Sequence, residues 1–193
     1  MSFPPRPDQT CENRQRGQTA ESCARALFLD RDGVINVDDH YVHKRDDFRF
    51  IDGIFDLCRK AAAKEYKIIV VTNQSGIERG YFSDEDFLAL TRWMAERFHD
   101  EGAALTKVYH CPSLTGPNRK PNPGLFLTAK REFQLDMAAS VSLGDQERDI
   151  QAAQRAGVGL NVLFSPKTPE TSETPTTAAE KIVHSLREME SLL

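Results

Sequence analysis

The sequence predicts an α/β protein of the Rossmann-like, doubly wound kind, with a mainly parallel sheet and helices on both of its faces. Five short runs that are nearly continuous in apolar residues recur along the chain, and helix-length segments separate them. Strands buried on both faces read as continuous apolar runs. Strand–helix alternation with crossover-length connections produces a parallel sheet. A further observation concerns placement: each polar cluster of interest falls at the carboxyl end of a strand, where such sheets bind ligands.

The elements follow in order. The strands are expected at Ala26–Asp30, Lys67–Asn73, Lys107–Cys111, Val141–Asp145 and Gly159–Phe164. Cys58 sits in a helical apolar pattern, which suits a small core residue. Ser83 is placed to cap a helix reaching Asp100, with Asp86 three residues on and Phe87, Leu90, Met94 and Phe98 along one face. Pro123 suits the first turn of a helix running to Phe133. A third helix, Glu147 to Ala156, is stopped by Gly157. Ser165–Ala179 reads as a surface loop leading to a last short element, Lys181–Leu193. Residues 1–23 are rich in Pro, Gln, Arg and Ser and read as a flexible tail, with residues 24–193 as one domain.

Composition narrows the function classes. The chain has 193 residues, 39% hydrophobic and 28% charged, which is ordinary for a soluble domain. The longest apolar run, Ile68–Val71, is too short to span a bilayer, and the N-terminus lacks the apolar stretch of a signal peptide. A net charge of −4 argues against a nucleic-acid binder. The four cysteines, Cys11, Cys23, Cys58 and Cys111, show no C-x-x-C spacing. A cytoplasmic protein without membrane or nucleic-acid partners is expected, with a monomer favoured.

The strongest chemical signal is Phe28-Leu29-Asp30-Arg31-Asp32-Gly33. Two carboxylates two residues apart at a strand end repel each other unless a cation or shared proton intervenes. A hard divalent ion such as Mg²⁺ resolves that repulsion. One carboxylate can then attack phosphorus while the other protonates the leaving oxygen and activates water. Read alone, the same string also fits two solvated turn residues. Thr72-Asn73-Gln74-Ser75-Gly76 offers a hydroxyl, an amide and backbone N–H groups to phosphate oxygens, or makes an ordinary capped turn. In Arg119-Lys120-Pro121-Asn122-Pro123, Lys120 can neutralise phosphate charge and Arg119 can present a planar fork, or both belong to a solvated basic loop. Asp145 ends another strand as a further oxygen ligand. Asp149, four residues on, is either a partner of that ligand set or a charge favoured by the helix dipole.

In order and context, these pieces resemble the haloacid dehalogenase superfamily of aspartate-nucleophile phosphatases over nearly all of residues 24 to 193. The strings FLDRDGVINVDDHYVH, IDGIFD, VVTNQSGIERGYFSDEDF, RKPNPG and GDQERDIQAAQRAGV are similar to the heptose-bisphosphate phosphatases, small members with no large cap domain. Histidinol-phosphatases share much of this pattern. The resemblance implies Asp30 as nucleophile and Asp32 as general acid/base, with Thr72 and Lys120 on the transferring phosphoryl group. It implies Mg²⁺ held by Asp30, Asp145 and the backbone carbonyl of Asp32. It places substrate contacts at Asp38, Tyr41, Thr72, Asn73, Gln74, Ser75 and Arg119, and the substrate as a small phosphorylated sugar carrying a C7 phosphate.

Three positions depart from that pattern. Many relatives carry a zinc loop before the R-K-P segment, but here Cys111 is followed by Pro112, Ser113 and a short stretch ending in Asn118. One thiolate does not make a four-ligand site, so no structural zinc is expected. Gln146 stands where the family usually has lysine, and Asp38-Asp39-His40-Tyr41 lacks the family's glycine. Two rivals follow: a histidinol-phosphate or other sugar-phosphate phosphatase, and a non-catalytic phosphate-binding module. The second is expected to have lost Asp30, Asp32, Lys120 or Asp145, and none is lost.

Overall fold

A computed structural model of the chain describes residues 23–166 and 176–193. The expected tail lies outside these residues except for its last position, as do Cys11 and residues 167–175 of the expected loop.

Six strands form one sheet, every neighbouring pair parallel: β1 (Arg25–Leu29), β2 (Tyr66–Asn73), β3 (Lys107–Cys111), β4 (Val141–Gly144), β5 (Leu160–Phe164) and β6 (Lys181–Val183). Their spatial order is β3-β2-β1-β4-β5-β6. The winding direction therefore reverses between β1 and β4, whose carboxyl ends lead directly into Asp30 and Asp145. The main-chain N–H of Asp30 continues the ladder by donating to Leu143 O at 3.1 Å. This junction is where an open parallel sheet leaves a crevice for ligands.

The pleat sorts the strand residues. Leu27, Leu29, Ile68 and Val70 face a core shared with α1 (Ile54–Ala63), α2 (Asp84–Asp100) and α5 (Leu186–Glu190). Ala26, Phe28, Ile69, Val71 and Cys111 face a second core with α3 (Gly124–Phe133) and α4 (Glu147–Arg155). Helices thus cover both faces, as the continuous apolar runs require.

Helix α2 begins with the capping box expected of Ser83: its Oγ accepts from Asp86 N at 3.1 Å, and Asp86 Oδ2 accepts from Ser83 N at 2.9 Å. Helix α1 buries Ile54, Leu57, Cys58 and Ala61, a single stripe at helical spacing. Its end carries no glycine signal, because Glu65 itself takes the left-handed conformation at φ +62°. The last expected element resolves into two, β6 and α5, the latter capped by Ser185 Oγ accepting from Glu188 N. No helix among the described residues is long and apolar enough to cross a membrane.

Candidate active site

At the β1/β4 junction three carboxylates converge. Asp30, Asp145 and Asp149 each offer an oxygen, and these oxygens lie within 4.8 Å of one another. Asp30 follows β1 and Asp145 follows β4; Asp149 sits one turn into α4, whose N-terminus points at the same crevice. The close approach explains Gly33. Its φ is +87°, and a Cβ there would lie 2.4 Å from Asp145 Oδ2, so a side chain at this turn would displace Asp145.

Lys120 is the counter-charge. Only 2% exposed, its ammonium lies 2.9 Å from Asp30 Oδ1 and 2.7 Å from Asp149 Oδ1, and it donates to Val71 O at 2.8 Å. Asp30 Oδ1 also accepts from Arg31 N at 2.8 Å. Asp149 Oδ2 accepts from Gln146 N at 3.0 Å, at the start of α4. Gln146 turns its amide to Asp145 Oδ2 at 2.9 Å.

One cation does not balance three converging acids, two of them buried and Asp145 partly so. Burial raises the Asp30 carboxyl to about 7, with Lys120 opposing and Asp149 and Asp145 adding to the rise. Burial likewise lifts Asp145 to about 6, opposed by the Gln146 hydrogen bond and supported by Asp149. Burial works against the charge on Lys120, but Asp149 and Asp30 outweigh it and hold its pKa above the ordinary lysine value. Asp145 Oδ1 is buried without a hydrogen-bond partner. A hard oxygen donor set with an unsatisfied buried oxygen and surplus negative charge fits a divalent cation of the Mg²⁺ type.

Asp32 belongs to a second network. Its carboxylate accepts from Arg31 Nε and Nη2, Asn36 Nδ2 and Gln74 Nε2, all between 2.8 and 3.1 Å. Gln74 Nε2 also donates to Thr72 Oγ1 at 2.9 Å, so Thr72, Gln74 and Asp32 form one line. The side chain of Asp32 is not part of the three-acid cluster. Asn73 Nδ2 donates to Lys120 O and Asn73 Oδ1 accepts from Lys120 N, both at 3.1 Å. Ser75 lies partly buried in the turn after β2, its carbonyl accepting from Arg79 N. Arg119 Nη1 donates to Ser113 O at 3.1 Å and so braces its own loop. In that loop the Cys111 thiol meets Ser113 O at 3.7 Å.

Asp38 and Tyr41 lie apart from the acids, on an exposed rim. Asp38 Oδ1 accepts from His40 N at 3.1 Å, and His40 and Tyr41 both take φ +55°. The Tyr41 ring meets Tyr81 edge-on at 4.7 Å between centroids. Gly76 admits this packing, since a Cβ there would lie 2.9 Å from Tyr41 Cδ1. An open pocket of about 440 Å³ beside this rim is lined by Asp39, Tyr41, His43 and Arg49 among others.

Residues 117–189 match the family model described as HAD-hydrolase-like. Over 175 residues the chain is 46% identical to the D-glycero-α-D-manno-heptose-1,7-bisphosphate 7-phosphatase of Burkholderia mallei, covering 86% of this chain and 91% of that protein. It belongs to the heptose-bisphosphate phosphatase family of the HAD-like hydrolases. The phosphatase is also 44% identical over 174 residues to the D-glycero-β-D-manno-heptose-1,7-bisphosphate 7-phosphatase of Yersinia pestis, covering 85% of this chain and 92% of that one. Among solved structures, the D,D-heptose 1,7-bisphosphate phosphatase of B. bronchiseptica, complexed with magnesium and phosphate, superposes with a TM-score of 0.76 at 25% identity over 87% of this chain and 97% of that one. A HAD-like phosphatase from Mesorhizobium loti gives the same TM-score at 31% identity, over 92% and 90% of the two chains.

Two residues of the phosphatase that the motifs did not single out, Arg31 and Asn36, stand at the centre of these networks, and of the two readings of Asp149 the structure places it in the acid cluster. Asp149 had a signal, its position on the first helical turn after Asp145. Arg31, only 1% exposed, and Asn36, fully buried, gave none, because nothing in a linear string says that an arginine beside two aspartates points inward.

Proposed function

We propose that this phosphatase removes the C7 phosphate of D-glycero-D-manno-heptose 1,7-bisphosphate through an aspartyl-phosphate on Asp30. The observation that carries the reading is the placement of Asp30, at the winding switch point, beside one buried lysine and two further carboxylates. Identity to heptose-bisphosphate phosphatases over most of the chain supports the substrate.

Both donors to Asp30 recorded among the described residues fall on Oδ1, which leaves Oδ2 to attack phosphorus. The Asp30–phosphorus bond forms as the bond to the C7 oxygen breaks, and Asp32 gives that oxygen a proton. Asp32, now a carboxylate, takes a proton from water; the water oxygen bonds to phosphorus and the Asp30–phosphorus bond breaks. Lys120 and Thr72 face the charge on the transferring group throughout. Arg31, Asn36 and Gln74 hold the Asp32 carboxylate in one orientation between its two proton transfers. Mg²⁺, when bound, neutralises the acid cluster and the phosphate oxygens. Asp30, Asp145 and the Asp32 carbonyl would hold it, with Asp149 fixing Lys120 alongside. In this reading residues 24–193 act as one catalytic domain of a cytoplasmic monomer, without structural zinc and with a small phosphorylated sugar as partner; Asp38, Tyr41, Ser75 and Arg119 border the sugar.

The test is phosphate release with Mg²⁺ from both anomers of the heptose bisphosphate, from histidinol phosphate and from common sugar phosphates. Preference for a heptose bisphosphate, lowered by about three orders of magnitude or more in Asp30→Asn, supports the reading. Preference for another phosphate ester reassigns the substrate, and full activity in Asp30→Asn removes the nucleophile.

A further inference from the structure

Lys120 is the only basic side chain in contact with the acid cluster among the described residues, yet it stands on an irregular stretch between β3 and α3 with no strand ladder to hold it. A lysine stem has four rotatable bonds and about 2 kcal/mol of rotamer entropy, so its backbone must be fixed from elsewhere. Strand β2 does this at both ends of the residue. Asn73 grips the main chain with its whole carboxamide, Nδ2 donating to Lys120 O and Oδ1 accepting from Lys120 N, each at 3.1 Å. Two residues earlier, Val71 O accepts from the Lys120 ammonium at 2.8 Å. With its backbone and its tip both referred to β2, the ammonium reaches Asp30 Oδ1 at 2.9 Å and Asp149 Oδ1 at 2.7 Å.

We propose that Asn73 is a positioning residue that acts through Lys120, and that its side chain does not bind substrate. Both of its polar atoms are engaged by one peptide segment, which holds the carboxamide against the Lys120 main chain rather than turned to a phosphate or a sugar hydroxyl. The kinetic consequence rests on the phosphatase mechanism proposed above; the positional one does not.

Two measurements decide it. In protein labelled with ¹⁵N-lysine, the buried Lys120 ammonium is expected to give a protected resonance, assigned by its loss in Lys120→Met. Asn73→Ala shifts or abolishes that resonance; an unmoved resonance overturns the proposal whatever the enzyme's activity. In steady-state kinetics, Asn73→Ala lowers kcat about 10- to 100-fold with KM within about twofold, since a displaced Lys120 is felt in the transition state. Added to Lys120→Met, the same change costs nothing further. Losses that multiply, or a loss confined to KM, would show Asn73 acting on the substrate itself. Should the wild-type protein release phosphate from no substrate, the mechanism fails while the resonance still decides the role of Asn73.

Discussion

Asp30, Lys120 and Asp149 are buried, and each is held by two or more charged or main-chain partners. Tyr41 and Tyr81, on the segments that leave β1 and β2, keep 43% and 55% of their surface exposed and meet chiefly each other. The two regions divide the labour. In the proposed reaction the groups that meet developing charge, Asp30 and Thr72 at strand ends and Lys120 braced against β2, are buried, where a small displacement is costly and the packing resists it. Asp38 and Tyr41, proposed above to border the sugar, sit on an exposed rim whose backbone occupies the left-handed region at two successive non-glycine residues, His40 and Tyr41, a conformation its surroundings must maintain. In the proposed reading, chemistry is therefore buffered against drift in the loops, and recognition is not.

The largest expected effect comes from breaking the buried side. Lys120→Met removes the only basic side chain among the described residues that pairs with Asp30 and Asp149, and turnover is expected to fall by about two to three orders of magnitude. The same change lowers stability by about 3 kcal/mol or more, as loss of one partner in a buried ion pair does. Denaturant unfolding alongside kinetics checks both, and a stable variant with near-normal turnover would mean that the cluster does not depend on Lys120.

A smaller effect concerns pH. The Asp30 and Asp145 carboxyls stand at about 7 and about 6 when no cation is present, above their unfolded values. Between roughly pH 4 and these raised values the folded chain binds more protons than the unfolded one. Stability of the metal-free protein therefore falls as pH rises through about 6 to 7. Thermal unfolding in chelator should show a lower midpoint at pH 8 than at pH 5, and Mg²⁺ should raise the midpoint more at pH 8. A chelated midpoint that climbs across this range would contradict the crowding of acids at the junction.

The smallest effect is expected at the rim. Tyr81→Ala removes an exposed edge-on partner of Tyr41, a contact of about 0.5–1.5 kcal/mol. KM for the preferred sugar phosphate should rise about three- to tenfold, with kcat and melting midpoint unchanged. A fall in kcat without change in KM would tie the rim to the chemistry and erase the division drawn above.

Much of this was legible in the linear string. Val70 and Val71 in an unbroken apolar run announce a strand buried on both faces, and Ser83 with Asp86 announces the start of α2, because each signal is local: side-chain alternation in one case, a cap three residues long in the other. The α1 boundaries were not legible, since Glu65 supplies the left-handed turn that a glycine would have advertised. Nor was the separation of Asp32 from the acid cluster, because two carboxylates two residues apart carry no mark of which neighbour each will face.

By itself the sequence determined the parallel doubly wound class and the delivery of Asp30, Thr72, Lys120 and Asp145 to strand ends or the loops beside them. Periodicity, glycine placement and capping chemistry act over a few residues and survive any tertiary context. Only the tertiary structure decided that Asp149 joins Asp30 and Asp145, that Arg31 turns inward onto Asp32, and that Asn73 spends its carboxamide on Lys120. Each of these joins segments or orientations that the strand order and the switch between β1 and β4 fix in space, and a buried polar group takes whichever partner that packing brings within reach.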